Sequence, residues 1–340
     1  MTQQRTTAPC KRVEISLGYA CNNHCVFCSE QTSRADPRAR AGATLDLPRL
    51  MDAITRFWQE GARHLTFLGG EPTVHRDLPT LMEHASGLGF NLAMTTNGRR
   101  LADPALVRAL AMIPRLRITV SLHGHRAQVH DRVCGEAGAF DQVMHGLDNL
   151  KVFGMGFDLT AVVCAANLPH LSDLYRFHQG LTPGRRYYAY VRPIGGAYER
   201  FEEVVPRFGD AAPHLSALLA QAAMDRAPLT LGHVPLCFFG PHPGFCDELY
   251  WDDDPDLPLR EVNKFAAINH QTVTGLPFVV TFDHYKVKPL SCAGCRYAGV
   301  CAGVFREYGL KRGYEELTPV AGEPVLRFAD LRLPHLARKD

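Results

Sequence analysis

The sequence predicts an α/β fold, a parallel sheet built from six strand–helix units and followed by a small, loop-rich module. Three observations carry this. Short apolar runs alternate with amphipathic stretches from residue 13 to about 225. The stretches open and close on helix punctuation. Beyond about 226 the alternation stops, and proline, glycine and acidic residues become frequent, as at Pro235, Pro241, Pro243, Asp252-Asp-Asp-Pro255 and Pro258.

The runs expected to be strands are Val13–Leu17, His64–Leu68, Asn91–Thr95, Leu116–Ser121, Leu159–Val163 and Tyr187–Val191. Between the first two, Leu47, Leu50, Met51, Ile54, Phe57 and Trp58 follow a 3.6-residue period, with Asp46 as N-cap and Gly61 as terminator. Asp103-Pro104 reads as the N-cap and first residue of a later helix. Phe140, Val143, Met144, Leu147 and Leu150 form another apolar face closed by Gly154. Leu171, Leu174 and Tyr175 line a further helix that ends near Gly180.

Serial strand–helix units imply parallel strands joined by right-handed crossovers. Periodicity admits two windings, an open doubly wound sheet or an open barrel of six units. In either, function collects on loops that leave the C-terminal strand ends. The expected organisation is a core over 1–225, a small module over 226–310, and an irregular tail over 311–340 packed on the body.

Bulk properties exclude several classes. A net charge of +2 with no basic stripe argues against nucleic acid. No apolar run reaches the ~18–20 residues of a membrane span, and Met1-Thr-Gln-Gln-Arg is no signal peptide. A cytoplasmic protein is expected, so its 11 cysteines should be thiols or metal ligands.

Cys21-Asn-Asn-His-Cys25-Val-Phe-Cys28 follows the first strand. With 11 cysteines in 340 residues, chance supplies only ~0.01 such triplets. Three thiolates hold a soft metal centre and leave one metal position open, since a four-iron cluster normally takes four. The rival is a zinc site, which wants four ligands; His24 is awkwardly placed as the fourth.

Phe27 directly before the third cysteine completes a motif that resembles the radical S-adenosylmethionine (SAM) signature. Gly69-Gly70-Glu71-Pro72 after the second strand, Thr95-Thr96-Asn97-Gly98 after the third, and Ser121-Leu122-His123-Gly124 after the fourth resemble further motifs of that superfamily, in its order. The resemblance spans roughly residues 13–200. It implies a partial (β/α)6 TIM-like barrel, with Cys21, Cys25 and Cys28 on a 4Fe–4S cluster whose fourth iron chelates SAM. It further implies that Gly69 and Gly70 admit the methionyl amine and that Glu71, beside Pro72 in the same motif, supplies negative charge to that amine. Glu71 alternatively serves as a helix-start carboxylate. Phe27 and Val163 would flank the adenine, and Ser121 would bond the ribose. Asn97 would bind the cofactor or simply form an Asn-Gly turn. His123 and Arg192, at the mouth, are the candidate catalytic residues; Arg192 could also hold a carboxylate of cofactor or substrate. Tyr188 and Tyr190 are expected at the same mouth, facing a polar, anionic group.

Cys292, Cys295 and Cys301, at C-x2-C-x5-C, resemble the auxiliary-cluster region of SPASM/Twitch enzymes. Ala302-Gly-Val-Phe305 lacks the further cysteine of the fuller pattern, so one auxiliary 4Fe–4S cluster is expected. Cys237 is the preferred fourth ligand and Cys246 the alternative; zinc is the rival occupant. Cys10, Cys134 and Cys164 read as isolated buried thiols. His75 and His130-Asp131 read as structural, and Asp252–Asp254 as a solvated loop.

The resulting expectation is an enzyme that forms a 5′-deoxyadenosyl radical and abstracts hydrogen from a small molecule. An external reductant such as flavodoxin or ferredoxin would serve it. The small-molecule preference rests on only 12 residues preceding the first strand. The alternatives are a ribosomal-peptide maturase and a non-catalytic iron–sulfur electron carrier.

Overall fold

The computed structural model describes residues 12–30, 46–250, 263–266 and 286–336. Eight parallel strands form one sheet. They are β1 (Arg12–Ser16), β2 (His64–Leu68), β3 (Asn91–Thr96), β4 (Leu116–Ser121), β5 (Asp158–Val163), β6 (Arg186–Tyr190), β7 (Leu229–Gly232) and β8 (Asn263–Ala266), in the order 7-6-5-4-3-2-1-8. From β1 to β7 every strand lies beside its sequence neighbour. A doubly wound sheet reverses direction at a switch point, so this winding is that of an open, partial barrel.

The intervening helices are α1 (Leu47–Gln59), α2 (Leu78–Leu88), α3 (Pro104–Ala111), α4 (Ala127–Cys134), α5 (Ala139–Val152), α6 (Leu171–Gly180) and α7 (Phe208–Met224). Their punctuation is chemical. Asp46 accepts from the Arg49 amide at 3.1 Å, and Asp103 caps α3 ahead of Pro104. Asp131 joins α4 to α5 by accepting from Gly138 and Phe140, both at 2.8 Å.

Alternation along the strands sorts their two faces. Val13, Ile15, Leu65, Phe67, Leu92, Met94, Ile118 and Val120 are buried in a core shared with α1 to α3 and α5. Thr160 and Val162, like Tyr187 and Ala189, point the other way, into a cavity at the C-terminal strand ends.

The sheet continues past the point where sequence alternation stops. β7 adds to β6, and β8 pairs with β1 from Val13↔Asn263 to Ser16↔Ala266. Four residues each, they are too short for a period to stand out. The C-terminal part carries β9 (Lys286–Val287) paired with β10 (Val304–Phe305), then α8 (Arg306–Arg312). Tyr297, Val300, Val304, Tyr308, Leu317 and Val325 share one core with the β5–β7 half of the sheet. Val320 and Val325 exchange backbone bonds with Arg296 at 2.8 Å, and Leu333 donates to the Tyr250 hydroxyl at 2.8 Å. Cys10 and Asp252–Asp254 lie outside the described residues. Among the described residues no helix is long and apolar enough to cross a membrane.

Candidate active site

The loop Cys21–Cys28 leaves β1 at the mouth and is bonded on three sides. His24 and Val26 amides donate to the carbonyls of Cys134 (2.8 Å) and Val133 (2.9 Å) at the end of α4. Asn97 Nδ2 donates to Asn22 Oδ1 at 2.7 Å, and Arg99 Nη1 donates to Asn23 Oδ1 at 2.9 Å and to the Asn22 carbonyl. Arg200 donates to the Val26 carbonyl at 2.7 Å, and the Gly196 amide to that of Cys28 at 2.9 Å. All three cysteines line the cavity, which encloses about 370 Å³. No disulfide joins the described cysteines. The Asn23 amide lies 3.3 Å from Cys21 Sγ, an N–H···S arrangement suited to a thiolate. The His24 side chain, 70% exposed, pairs with Glu136 at 3.4 Å and is not part of the cavity wall.

Gly69 and Gly70 meet Leu17–Ala20, the segment that leads into this loop, backbone to backbone. The Gly70 amide donates to the Gly18 carbonyl at 2.7 Å and the Glu71 amide to that of Ala20 at 2.8 Å. A Cβ on Gly70 would sit 2.4 Å from the Ala20 oxygen and 2.5 Å from the Tyr19 oxygen. The missing side chains therefore first serve the docking of the cysteine loop onto the second motif.

Glu71 is buried and largely committed. Oε1 accepts from the Thr73 amide (2.9 Å), the Thr73 hydroxyl (2.6 Å) and the Thr96 hydroxyl (2.6 Å), while Oε2 accepts from the Asn97 amide at 2.6 Å. Burial raises its pKa, and these four bonds offset that rise only in part. The carboxylate thus caps the Pro72–Val74 turn and ties the second motif to the third. Pro72 is buried off the cavity.

Phe27, Ser121 and His123 line the cavity beside them, with the Phe27 and His123 rings edge to face at 5.2 Å. His123 Nδ1 accepts from the Val162 amide at 3.1 Å, so the proton resides on Nε2. Burial, then the neighbours His130 and His178, hold its pKa well below the usual range. His123 is a neutral donor at its free nitrogen, not a base.

Two sequence expectations shift by one residue. Val163 is fully buried in the outer core, and Val162 lines the cavity. Likewise Tyr188 turns away from the mouth, its hydroxyl 2.9 Å from His178 Nδ1, while Tyr187 faces inward. Side chains alternate along a strand, so an offset of one exchanges the faces. Tyr190 reaches the cavity wall, but its hydroxyl donates to the Pro206 carbonyl.

The part of the cavity at the ends of β6 and β7 holds groups that sequence reasoning missed. His233 lines it in the left-handed region (φ 68°), with Nδ1 donating to the Tyr190 carbonyl at 3.1 Å. Burial, then Lys286 and Arg192, push its pKa down to about 3. Arg192 lies over Phe305 at 5.6 Å and Lys286 at 5.3 Å, and Lys286 is ion-paired to Glu248 with both side chains buried. Arg99 was also missed, although it follows the Thr95–Gly98 motif directly.

The second cysteine group is also brought together. The thiols of Cys301, Cys295 and Cys292 surround Cys237, and they add to burial in raising its pKa to about 12. Cys301 Sγ accepts from Leu236 (3.5 Å) and Gly303 (3.4 Å), and Cys295 Sγ from Val320 (3.3 Å). Cys246 is buried in the core, where Glu248, Asp247 and Lys286 surround it.

Among the remaining groups, Cys164 is fully buried and His75 accepts from the Asp77 amide at 3.2 Å. His125, His170 and Asp173 place ligand atoms within 4.8 Å of one another. Asp173 is ion-paired to Arg176, and Arg126 and Arg176 bring further positive charge to His125. That is an environment against a second cation.

A parallel barrel with three cysteines on its first loop, facing glycines, Asn97 and Ser121, defines an enzyme that generates radicals from SAM. The sequence model of the radical SAM superfamily matches residues 15–177, and the chain belongs to that superfamily. It is 31% identical to mycofactocin maturase MftC of Mycolicibacterium smegmatis over 319 residues, 84% of this chain and 76% of the relative. It is 25% identical to the AdoMet-dependent heme synthase of Oleidesulfovibrio alaskensis, over 97% of this chain and 90% of the relative. Its fold matches Streptococcus suis SuiB bound to precursor peptide SuiA, with a TM-score of 0.63 and 15% identity over 92% of this chain and 75% of SuiB. The superfamily uses SAM and a 4Fe–4S cluster. The cysteine loop fits that group on its own terms, with three thiols on one cavity and an amide directed at Cys21 Sγ.

Proposed function

We propose that this enzyme holds a 4Fe–4S cluster on Cys21, Cys25 and Cys28, with SAM beside it, and abstracts hydrogen from a carboxylate-bearing small molecule. The observation that carries the reading is the convergence of Cys21, Cys25, Cys28, Gly69, Gly70, Asn97 and Ser121 on one cavity. When bound and reduced, the cluster would supply one electron to the sulfonium of SAM, whose carbon–sulfur bond would part into methionine and a 5′-deoxyadenosyl radical.

In this reading Gly69 and Gly70 present backbone to the methionyl end, Phe27 and Val162 flank the adenine, and Ser121 faces the ribose. Glu71 and Asn97 keep the motif loops in register. His123 offers a fixed Nε2–H donor. Arg192, at the β6 end of the cavity, provides a cation for the substrate's anionic group.

Cys237, Cys292, Cys295 and Cys301 are proposed to hold one auxiliary 4Fe–4S cluster, with residues 226–310 as its module and 311–340 as a tail packed on the body. Three amides directed at Cys295 and Cys301 sulfurs support this. A cytoplasmic flavodoxin or ferredoxin would supply electrons.

A second reading, modification of a peptide, is favoured by the 31% identity to a maturase. The fold of SuiB, solved with a precursor peptide, agrees with it. The test is anaerobic iron loading, dithionite and SAM, with 5′-deoxyadenosine as readout. No product from an iron-replete sample sinks the radical reading. Stimulation by a peptide fraction of cell extract, and none by the small-molecule filtrate, replaces the first substrate class with the second.

A further inference from the structure

Cys134 does not behave as an isolated buried thiol. It ends α4 beneath the cysteine loop, and its carbonyl already accepts from the His24 amide at 2.8 Å. Its side chain is hydrogen-bonded to that of Cys25 and lies 3.3 Å from His130 Nε2. Cys134 and His130 are both 1% exposed.

The direction of each bond follows from the next. The His123 amide donates to His130 Nδ1 at 3.1 Å, so Nδ1 bears a lone pair and the ring proton resides on Nε2. Burial, its largest influence, lowers the His130 pKa to about 4, in keeping with a neutral ring. Nε2–H therefore donates to Cys134 Sγ. That leaves the Cys134 S–H as the donor of the remaining contact, and a cluster-bound Cys25 thiolate has no proton of its own to give.

We infer that His130 and Cys134 form a directed hydrogen-bond chain onto the Cys25 sulfur, with Cys134 a positioning residue that sets the reduction potential of the cluster. The inference rests on the proposed ligand role of Cys25. Adding an electron increases negative charge on the ligating sulfurs. A donor aimed at one of them stabilises the reduced state more than the oxidised one. Without the Cys134 S–H the cluster is harder to reduce.

The test is an anaerobic redox titration of the full, iron-loaded chain, followed by electron paramagnetic resonance. The signal monitored is the one that changes when SAM is added, which separates this cluster from an auxiliary one. Cys134→Ala and Cys134→Val remove the donor in two sizes, one of which fills the space. Both should shift the reduction equilibrium on the order of tenfold toward the oxidised cluster, about 59 mV for one electron. Cys134→Ser keeps an O–H donor and should stay nearer wild type. Apolar variants that titrate with wild type, or a Ser variant shifted as far as Ala, overturn the inference. A wild-type signal that ignores SAM overturns the reading of the site itself, and the inference with it.

Discussion

The Asn97 amide donates to Glu71 Oε2 at 2.6 Å, joining a loop that leaves β2 to one that leaves β3. Three more donors complete the grip on the same carboxylate. A residue that the sequence offers as a cofactor contact is thus also the brace that sets the spacing of two motif loops.

Glu71→Gln turns an amide nitrogen toward donors that need an acceptor. Leaving a buried donor unmet costs about 1–3 kcal/mol. The variant should unfold at lower denaturant and bind SAM more weakly, as read by urea melts and equilibrium dialysis. Unchanged midpoint and affinity would remove the brace from the account.

Gly70→Ala forces a Cβ to within 2.5 Å of two backbone oxygens, neither of which is a flexible chain end. It should displace the cysteine loop and lower both iron content and SAM cleavage. Gly87→Ala, on the exposed end of α2, meets nothing within 4 Å. It should stabilise the protein by about 0.5–1 kcal/mol with iron content unchanged. Equal losses in the two variants would argue against the docking role.

Cys237→Ala should lower iron and sulfide by roughly one 4Fe–4S cluster per chain. Cys246→Ala should retain both clusters, since its neighbours are Glu248, Asp247 and Lys286 instead of thiols. The reverse pattern in an iron assay would transfer the ligand role to Cys246.

His178 is buried against Tyr188, and burial, its largest influence, holds its pKa down to about 3 from 6.5. Its folded pKa is depressed, so its contribution is complete above pH 6.5 and declines as pH falls toward 3. Over that window the unfolded chain takes up a proton that the folded one refuses, a slope of about 1.4 kcal/mol per pH unit. Stability of His178→Gln should fall less steeply with acid than that of wild type in a urea series. Parallel slopes would refute this.

Much of the fold was legible because β1 to β6 are bounded by capping aspartates, prolines and glycines whose chemistry is local. The winding was not, since a period of two describes a strand without saying which strand lies beside it. Strands buried on both faces also read as nearly continuous apolar runs. That is why Val163 and Tyr188 were placed inward while Val162 and Tyr187 occupy those positions. The cysteine spacing, a short-range signal, located the loop. Its partners Arg99, Val133 and Cys134 lie roughly 75 to 110 residues away, where no spacing rule reaches. His233 carries no pattern at all.

The bonds from Val133, Cys134, Asn97, Arg99 and Arg200 hold residues 21–28 through protein contacts alone. If the proposed ligand role holds, a loop so fixed loses little conformational freedom when iron arrives. The free energy of metal capture is then retained as affinity instead of being consumed in ordering the chain. Cluster loading becomes the filling of a cast already set, and a delivery protein need supply iron and sulfide without remodelling its client.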